Sequence, residues 1–352
     1  MNIQKLQAQL ENGQGMLIIS PENRRYLTSF PSSDGYLLIT PSESILLADS
    51  RYIEAAQNDA RGCSDIVLLR SFSEQLPDLI KKLGISSLFT EAEKLSVSEF
   101  NNISRIAGCE CSAEKADEFI GTLRRCKNEE EKNKIIRAQR IAEAAFEHIL
   151  GFIKEGVTEK QIALELDYFM LSHGAECVSF ETIAVSGKNS SMPHGVPCDK
   201  KVEKGDFITM DFGAVVDGYH SDMTRTLAVG GVSSKQAEVY ETVLSAQLAS
   251  LETLKSGVSC FDADDAARSI IRNAGYGEFF GHGTGHGVGI EIHEQPRLSP
   301  KSKQILEAGD VVTVEPGIYL PSEFGVRIED MAFITENGFE NLTNSPKNLI
   351  IL

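Results

Sequence analysis

An α+β chain in two domains is the fold this sequence predicts: a small α/β domain over residues 1–122 and a larger domain over residues 123–352 made of two related halves. Three features carry it. Short apolar runs alternate with helix-like stretches at the front, the composition turns charged near residue 113, and one helix-then-strand pattern occurs twice in the remainder. With 352 residues, of which 41% are hydrophobic and 24% charged, the chain is long enough for two cores and too apolar to stay disordered.

The elements follow in order. MLIIS at 16–20, YLLIT at 36–40, SILLAD at 44–49, DIVLLR at 65–70 and SSLF at 86–89 are apolar runs of strand length, and the stretches between them read as helices. A charged and polar stretch spans about 113–134, and an amphipathic helix begins at Ile135. Gly156-Val-Thr158 then opens a helix ending at Gly174, and Gly257-Val-Ser259 opens another ending at Gly275, at equal glycine-to-glycine spacing. Thr158 and Ser259 are N-cap residue types, and each terminal glycine suits the left-handed C′ position. Gly205-Asp-Phe-Ile-Thr-Met-Asp211-Phe-Gly213 matches Gly309-Asp-Val-Val-Thr-Val-Glu315-Pro-Gly317 in the same order. One such pair alone is explained by chance; two pairs in one order imply a duplicated unit.

Acids number 51 against 34 Lys plus Arg, a net charge of −17. A field of that sign repels phosphate backbones and anionic lipid, so neither nucleic acid nor a membrane is an expected partner. No apolar stretch reaches the roughly 18–20 residues of a membrane helix, and the start MNIQKLQAQLENG lacks the plan of a signal peptide, so a cytoplasmic protein is expected. Cys63, Cys109, Cys111, Cys126, Cys177, Cys198 and Cys260 are odd in number and contain no CxxC pair. They read as buried reduced thiols, with no disulfide framework or cysteine zinc site.

Each half delivers an acid at the same point of its strand, Asp211 and Glu315, and a second soon after, Asp222 and Glu329. Asp217-Gly218 is a two-residue hairpin signal, and folding there sets Asp222 opposite Gly213, on the face that Asp211 shares. Carboxylates converging on one interior region repel unless a cation or proton compensates, and a metal is the natural compensator. His282, His286 and His293 fall together in a glycine-rich run between the two acid-bearing strands, and His194 precedes the first of them. The His282–His286 spacing is not a helical zinc motif, because three glycines interrupt it and the adjacent Glu is missing. Nor is it a dinucleotide loop, because an alternating, strand-like stretch follows it in place of a helix. One imidazole with four carboxylates is a ligand set for two divalent ions, Mn²⁺, Co²⁺ or Fe²⁺ before thiolate-loving Zn²⁺. Such a pair shares a water, lowers its pKa and clamps a carbonyl, which is machinery for hydrolysis.

MDFGAVVDGYHSDMTRT at 210–226, GHGTGHGVGIEIHE at 281–294, VEPGIY at 314–319 and GVRIED at 325–330 together resemble the Xaa-Pro aminopeptidase and prolidase branch of the pita-bread metallopeptidases (family M24). Glu22–Phe30 and Ala48–Tyr52 resemble the creatinase/prolidase N-terminal domain, so the resemblance covers essentially the whole chain. It implies that Asp211 chelates one metal, Asp222 and Glu329 bridge both, and His286 and Glu315 complete the second. It gives Glu315 the further role of general base toward a metal-bridging hydroxide, and His194 and His293 the task of holding the scissile carbonyl and the leaving proline. His282 falls at the same pocket, Arg327 and Tyr319 orient Asp211, and Arg297 resembles an arginine that meets the substrate carboxylate. The resemblance further implies a homodimer acting on short proline-containing peptides. The expected activity is removal of an N-terminal residue preceding proline. The alternatives are a dipeptidase restricted to Xaa-Pro dipeptides and a noncatalytic peptide-binding relative, the latter disfavoured by the intact ligand set. Methionine aminopeptidase shares the five ligands but lacks such a front domain.

Overall fold

A computed structural model describes residues 2–113 and 115–352, and the chain divides into two units, Met1–Arg124 and Arg125–Leu352. The front unit is organised on one mixed sheet of β1 (Gln14–Ile18), β2 (Tyr36–Ile39), β3 (Ser44–Ala48), β4 (Asp65–Leu68), β5 (Ser87–Thr90) and β6 (Glu110–Ser112), in the order β4-β3-β2-β1-β5-β6. The central strands are apolar throughout because both faces are covered. Met16, Ile18, Leu37 and Ile39 enter one core, while Leu17, Leu38 and Leu88 enter the other. All five apolar runs lie in this sheet, with β1 starting early because Gln14 and Gly15 pair with Ser87 and Leu88. β6 has no apolar run; its pairing with β5 makes it a strand. The Glu22–Phe30 motif is structural here. Buried Arg24 donates to the carbonyls of Ser32 and Gly35, and Glu91 accepts from Ser20 and Asn23 at the start of the helix Pro21–Thr28.

The charged stretch near residue 113 departs from expectation. It forms two helices, Lys115–Arg125 and Glu129–Phe152, the second starting well before Ile135. Asn128 accepts from the backbone N–H of Glu130 and Glu131, and the Glu131 carboxylate accepts from the Asn128 N–H. Glu129, Glu130 and Glu131 thus lie at the positive end of a helix, where acids are favoured.

The duplication is visible in the backbone. Thr158 caps the helix Glu159–Ser172 and bridges Lys201; Ser259 caps Cys260–Asn273 and bridges Ile305. The N–H of Gly156 donates to Val202 and that of Gly257 to Leu306, while Gly205 donates to Val229 and Gly309 to Ile334. Gly205 and Gly309 take φ of 94° and 97°, a left-handed conformation that favours glycine at both.

The first half contributes β7 (Cys177–Val178), β8 (Ile183–Ser186), β9 (Phe207–Phe212), β10 (Ala214–Val216), β11 (Tyr219–His220) and β12 (Met223–Ala228). The second contributes β13 (Gly285–Gly287), β14 (Glu294–Leu298), β15 (Val311–Val314), β16 (Gly317–Leu320), β17 (Phe324–Arg327), β18 (Asp330–Ile334) and β19 (Phe339–Asn341). The orders are β12-β9-β8 and β11-β10-β7 in one half, and β14-β13-β15-β18-β19 and β16-β17 in the other. The strand-like stretch expected after the glycine-rich run does not form a strand over 288–293. Gly289 N–H bonds the Glu291 carbonyl and Glu291 N–H bonds the Glu294 side chain, so the chain bends there and β14 starts only at Glu294.

Asp217 and Gly218 form the hairpin turn, with φ of 50° and 80°. Val215 faces His220 and Phe212 faces Met223, so Gly213 lies opposite Asp222 as the turn predicts. The cysteines are free, but only Cys260 is buried and Cys177 is exposed. Cys63, Cys109 and Cys111 are partly buried against the cores of the front unit. Among the described residues no helix is long and apolar enough to cross a membrane.

A Cβ on Gly213 would lie 1.9 Å from the Ser221 carbonyl oxygen, which belongs to backbone and cannot yield cheaply. Gly213→Ala is therefore expected to lower the unfolding free energy by more than about 2 kcal/mol in a urea titration. A loss within error would mean that the hairpin is looser than its register implies.

Candidate metal centre

Strand register brings the acids together. Asp211 lies near the end of β9, and Asp222 precedes β12. In the second half Val314 faces Asp330 and Gly317 faces Arg327, and the same count sets Glu315 opposite Glu329. The first pair is therefore diagonal and the second directly opposed, so the two halves are only approximate copies at the site. His286 is the middle residue of β13, which lies between β14 and β15. A cavity of about 670 Å³ is lined by all five of these residues together with His194, His282, His293, Arg297 and Arg327.

His286 Nδ1 lies 3.1 Å from the Gly287 carbonyl oxygen, a contact that fixes the ring and turns Nε2 toward the acids. Nε2 is 3.3 Å from Glu315 Oε1 and 3.6 Å from Asp222 Oδ2. Asp222, His286 and Glu329 each offer a ligand atom within 4.8 Å of the other two. Arg327 is the hub behind them. It donates to Asp211 Oδ2 at 2.6 Å, Thr224 Oγ1 at 3.1 Å, Tyr319 Oη at 2.8 Å and the Pro193 carbonyl at 3.2 Å. Tyr319 Oη also lies 2.9 Å from His282 Nε2, so the expected partnership of Arg327 and Tyr319 extends to that histidine. His293 packs edge-on against His286 with ring centroids 4.4 Å apart, whereas His194 is exposed at the cavity wall.

Thr224, Thr313 and Lys127 go unnoticed in the sequence. Thr224 Oγ1 donates to Glu329 Oε2 at 2.6 Å; Thr313 Oγ1 donates to Glu315 and accepts from the His286 N–H. Both threonines stand two residues from an acid of the cluster, on the same strand face, which is the signal that would have found them. Buried Lys127 pairs with Glu294, the neighbour of His293, and nothing in the local sequence announces it.

Burial, then the mutual repulsion of the acids, pushes the carboxyls of Asp222 and Glu329 well above the ordinary range. Asp211 is also raised by burial, against the pull of Arg327. Glu315 is the exception. Burial acts to raise it, but hydrogen bonding and charge from His286, with His282 and Arg327 behind, hold it down at about 2. Burial together with neighbouring His286 and Arg297 lowers His293 to about 4. Oδ1 of Asp211 is buried and has no hydrogen-bond partner among the described residues. An orphaned carboxylate oxygen beside three further acids and one imidazole fits hard or borderline divalent cations, which supply the missing charge.

Residues 133–336 match metallopeptidase family M24, and residues 2–126 match the creatinase/prolidase N-terminal domain. This chain belongs to family M24. The M24 peptidase is 38% identical to a Xaa-Pro dipeptidase of Pyrococcus furiosus over 95% of this chain and 94% of the relative. A solved Xaa-Pro dipeptidase from Bacillus anthracis superposes with a TM-score of 0.95 at 41% identity, covering 100% of this chain and 99% of that one. An X-Pro aminopeptidase structure from Thermotoga maritima gives 0.91 at 37%, covering 99% and 100%. The two-domain α+β reading of the sequence and its family resemblance are thereby borne out.

The raised acids of the M24 peptidase have a measurable consequence. A carboxyl whose folded pKa lies above its unfolded value favours the protonated state, so its contribution to stability is present at low pH and is lost as pH rises through the folded value. Glu315 has the opposite sign, its contribution being lost only as pH falls toward about 2. The melting temperature of metal-free protein should fall as pH rises above the ordinary carboxylate range, and Asp222→Asn should flatten that slope. An equal slope in the variant would remove Asp222 from the cause.

Proposed function

We propose that this M24 peptidase is a Xaa-Pro dipeptidase using two divalent ions, Mn²⁺ or Co²⁺. Asp211, Asp222, His286, Glu315 and Glu329 would hold them. One observation carries the choice of a dipeptide: Arg297 lines the same cavity as Glu315 and the four histidines His194, His282, His286 and His293. A guanidinium forks onto a free carboxylate, and in a Xaa-Pro dipeptide that carboxylate belongs to the proline beside the scissile bond. A longer peptide presents an amide there. The names of the Pyrococcus and Bacillus relatives support this reading over the aminopeptidase that the sequence favours. The Thermotoga likeness keeps the aminopeptidase as the second reading.

Divalent ions held by these side chains would supply Lewis acidity, acidifying water and polarising the substrate carbonyl. Glu315, which its contact with His286 keeps ionised, is the carboxylate that accepts the proton of the attacking water. That proton is then delivered to the proline nitrogen as the C–N bond breaks, releasing the first residue as a free acid and proline as an amine. His293, lowered to about 4, is neutral at pH 7 and retains an N–H to donate to the carbonyl oxygen as charge grows there. His194 supports the same atoms from the exposed wall, and His282, tied to Tyr319, flanks the leaving proline. Proline explains the dedicated site, because its tertiary amide lacks the N–H that extended-binding peptidases use.

Protein stripped of metal and reloaded with Mn²⁺ or Co²⁺ should cleave Ala-Pro with a kcat/KM at least about tenfold above that for Ala-Pro-Ala, the worth of one charge-assisted contact. Arg297→Gln should erase that preference by lowering the dipeptide value alone. Preference for the tripeptide would instead establish the aminopeptidase. Asp222→Ala should lose bound metal, measured by elemental analysis after desalting, together with activity; retention of both would refute the ligand assignment.

A further inference from the structure

His194 stands on an exposed stretch, flanked by Met192 and Val196 at 49% and 77% exposure, yet the base of that stretch is pinned by a carboxylate with no exposure at all. Glu159, the first residue of the helix Glu159–Ser172, accepts from both ends of the segment. At the entering end Ser186 donates its N–H at 2.7 Å and its Oγ at 3.0 Å, and Asn189 Nδ2 reaches both carboxylate oxygens. At the leaving end Cys198 donates its N–H at 3.2 Å and its thiol at 3.1 Å. The N–H of Lys160 in the same helical turn bonds the Cys198 carbonyl. Between these ends, Gly325 N–H donates to Ser190 Oγ and Arg327 to the Pro193 carbonyl.

The internal duplication separates fold from function at this position. Both halves make the same backbone contact, Glu159 N–H to the Lys200 carbonyl and Cys260 N–H to the Gln304 carbonyl. The position after the N-cap, a buried carboxylate in the first half, is Cys260 in the second, packed in an apolar cluster. The fold therefore does without the acid. A buried acid with many donors is weak evidence for stability and better evidence for one fixed arrangement of the groups around it.

We propose that Glu159 is a positioning residue for His194, acting through Ser186, Asn189 and Cys198 to hold residues 187–198 against the cavity. The claim rests on the reading of His194 as a substrate contact. Glu159→Gln replaces one acceptor oxygen by an amide N–H₂ facing N–H donors, releasing one end of the segment.

Mn²⁺-loaded Glu159→Gln should lose roughly tenfold or more in kcat/KM on Ala-Pro, since misplacement by about 1 Å costs up to a hundredfold. Hydrogen–deuterium exchange should accelerate within 187–198 and not elsewhere. Combining it with His194→Ala should give no loss beyond that of His194→Ala. Asn189→Ala, which removes two of the contacts from a half-buried side chain, should show the same pattern more weakly and serves if Glu159→Gln does not fold. Unchanged exchange in the segment, or losses that multiply with His194→Ala, would overturn the proposal. If His194→Ala costs nothing while exchange rises, the histidine reading falls and the positioning role with it. If the wild type cleaves neither dipeptide nor tripeptide, the substrate reading fails first, and exchange alone decides whether the clamp exists.

Discussion

Asp211, Asp222, Glu315 and Glu329 share one cavity, and their mutual repulsion is the constraint to which the rear unit is fitted. Four acids out of water are unfavourable by several kcal/mol each unless countercharge is supplied. The chain supplies part of it. Arg327 binds Asp211 and stabilises it, and His286 holds Glu315 ionised. Asp222 and Glu329, raised well above the ordinary range, and the orphaned oxygen of Asp211 mark the charge that the protein leaves to cations.

That division of labour explains the residues around the acids. Thr224 and Thr313 fix one oxygen each of Glu329 and Glu315, narrowing the directions in which the remaining lone pairs point. Tyr319 joins Arg327 to His282, so a group behind the acids also sets a histidine in front of them. Gly213 and Gly285 let strands approach at distances that a side chain would forbid, a Cβ at either lying 1.9 Å from a backbone oxygen. Close approach is what brings the acids of separate strands to one point.

Duplication supplies the scaffold, and departures from it supply chemistry. The caps, the paired glycines and the backbone bridges recur in both halves. The acid pairs do not recur identically, His286 sits in the second half, and Glu159 stands where that half has Cys260. Buried carboxylates also stand beside two of the histidine segments that line the cavity, Glu159 beneath that of His194 and Glu294, paired with Lys127, next to His293.

The sequence by itself determined the two-part α+β architecture, the duplication, the Asp217-Gly218 hairpin with Asp222 opposite Gly213, and the cluster of acids and histidines. These are readable because strand alternation, turn chemistry and capping act over a few residues, and because a repeat doubles weak signals. Local physics also accounts for what was misread. The acids at 129–131 read as part of a charged stretch ahead of the helix until the Asn128 cap makes them its start, and the alternation after the glycine-rich run is overridden by a bend that Glu294 holds. Only the tertiary structure decided that Arg327 also holds the Pro193 carbonyl, that Lys127 reaches Glu294, and that Glu159 bonds both Ser186 and Cys198. Each of these joins residues far apart in the chain, where no local pattern records the contact. The depression of Glu315 and the elevation of its neighbours come likewise from burial and mutual distance, which composition does not contain.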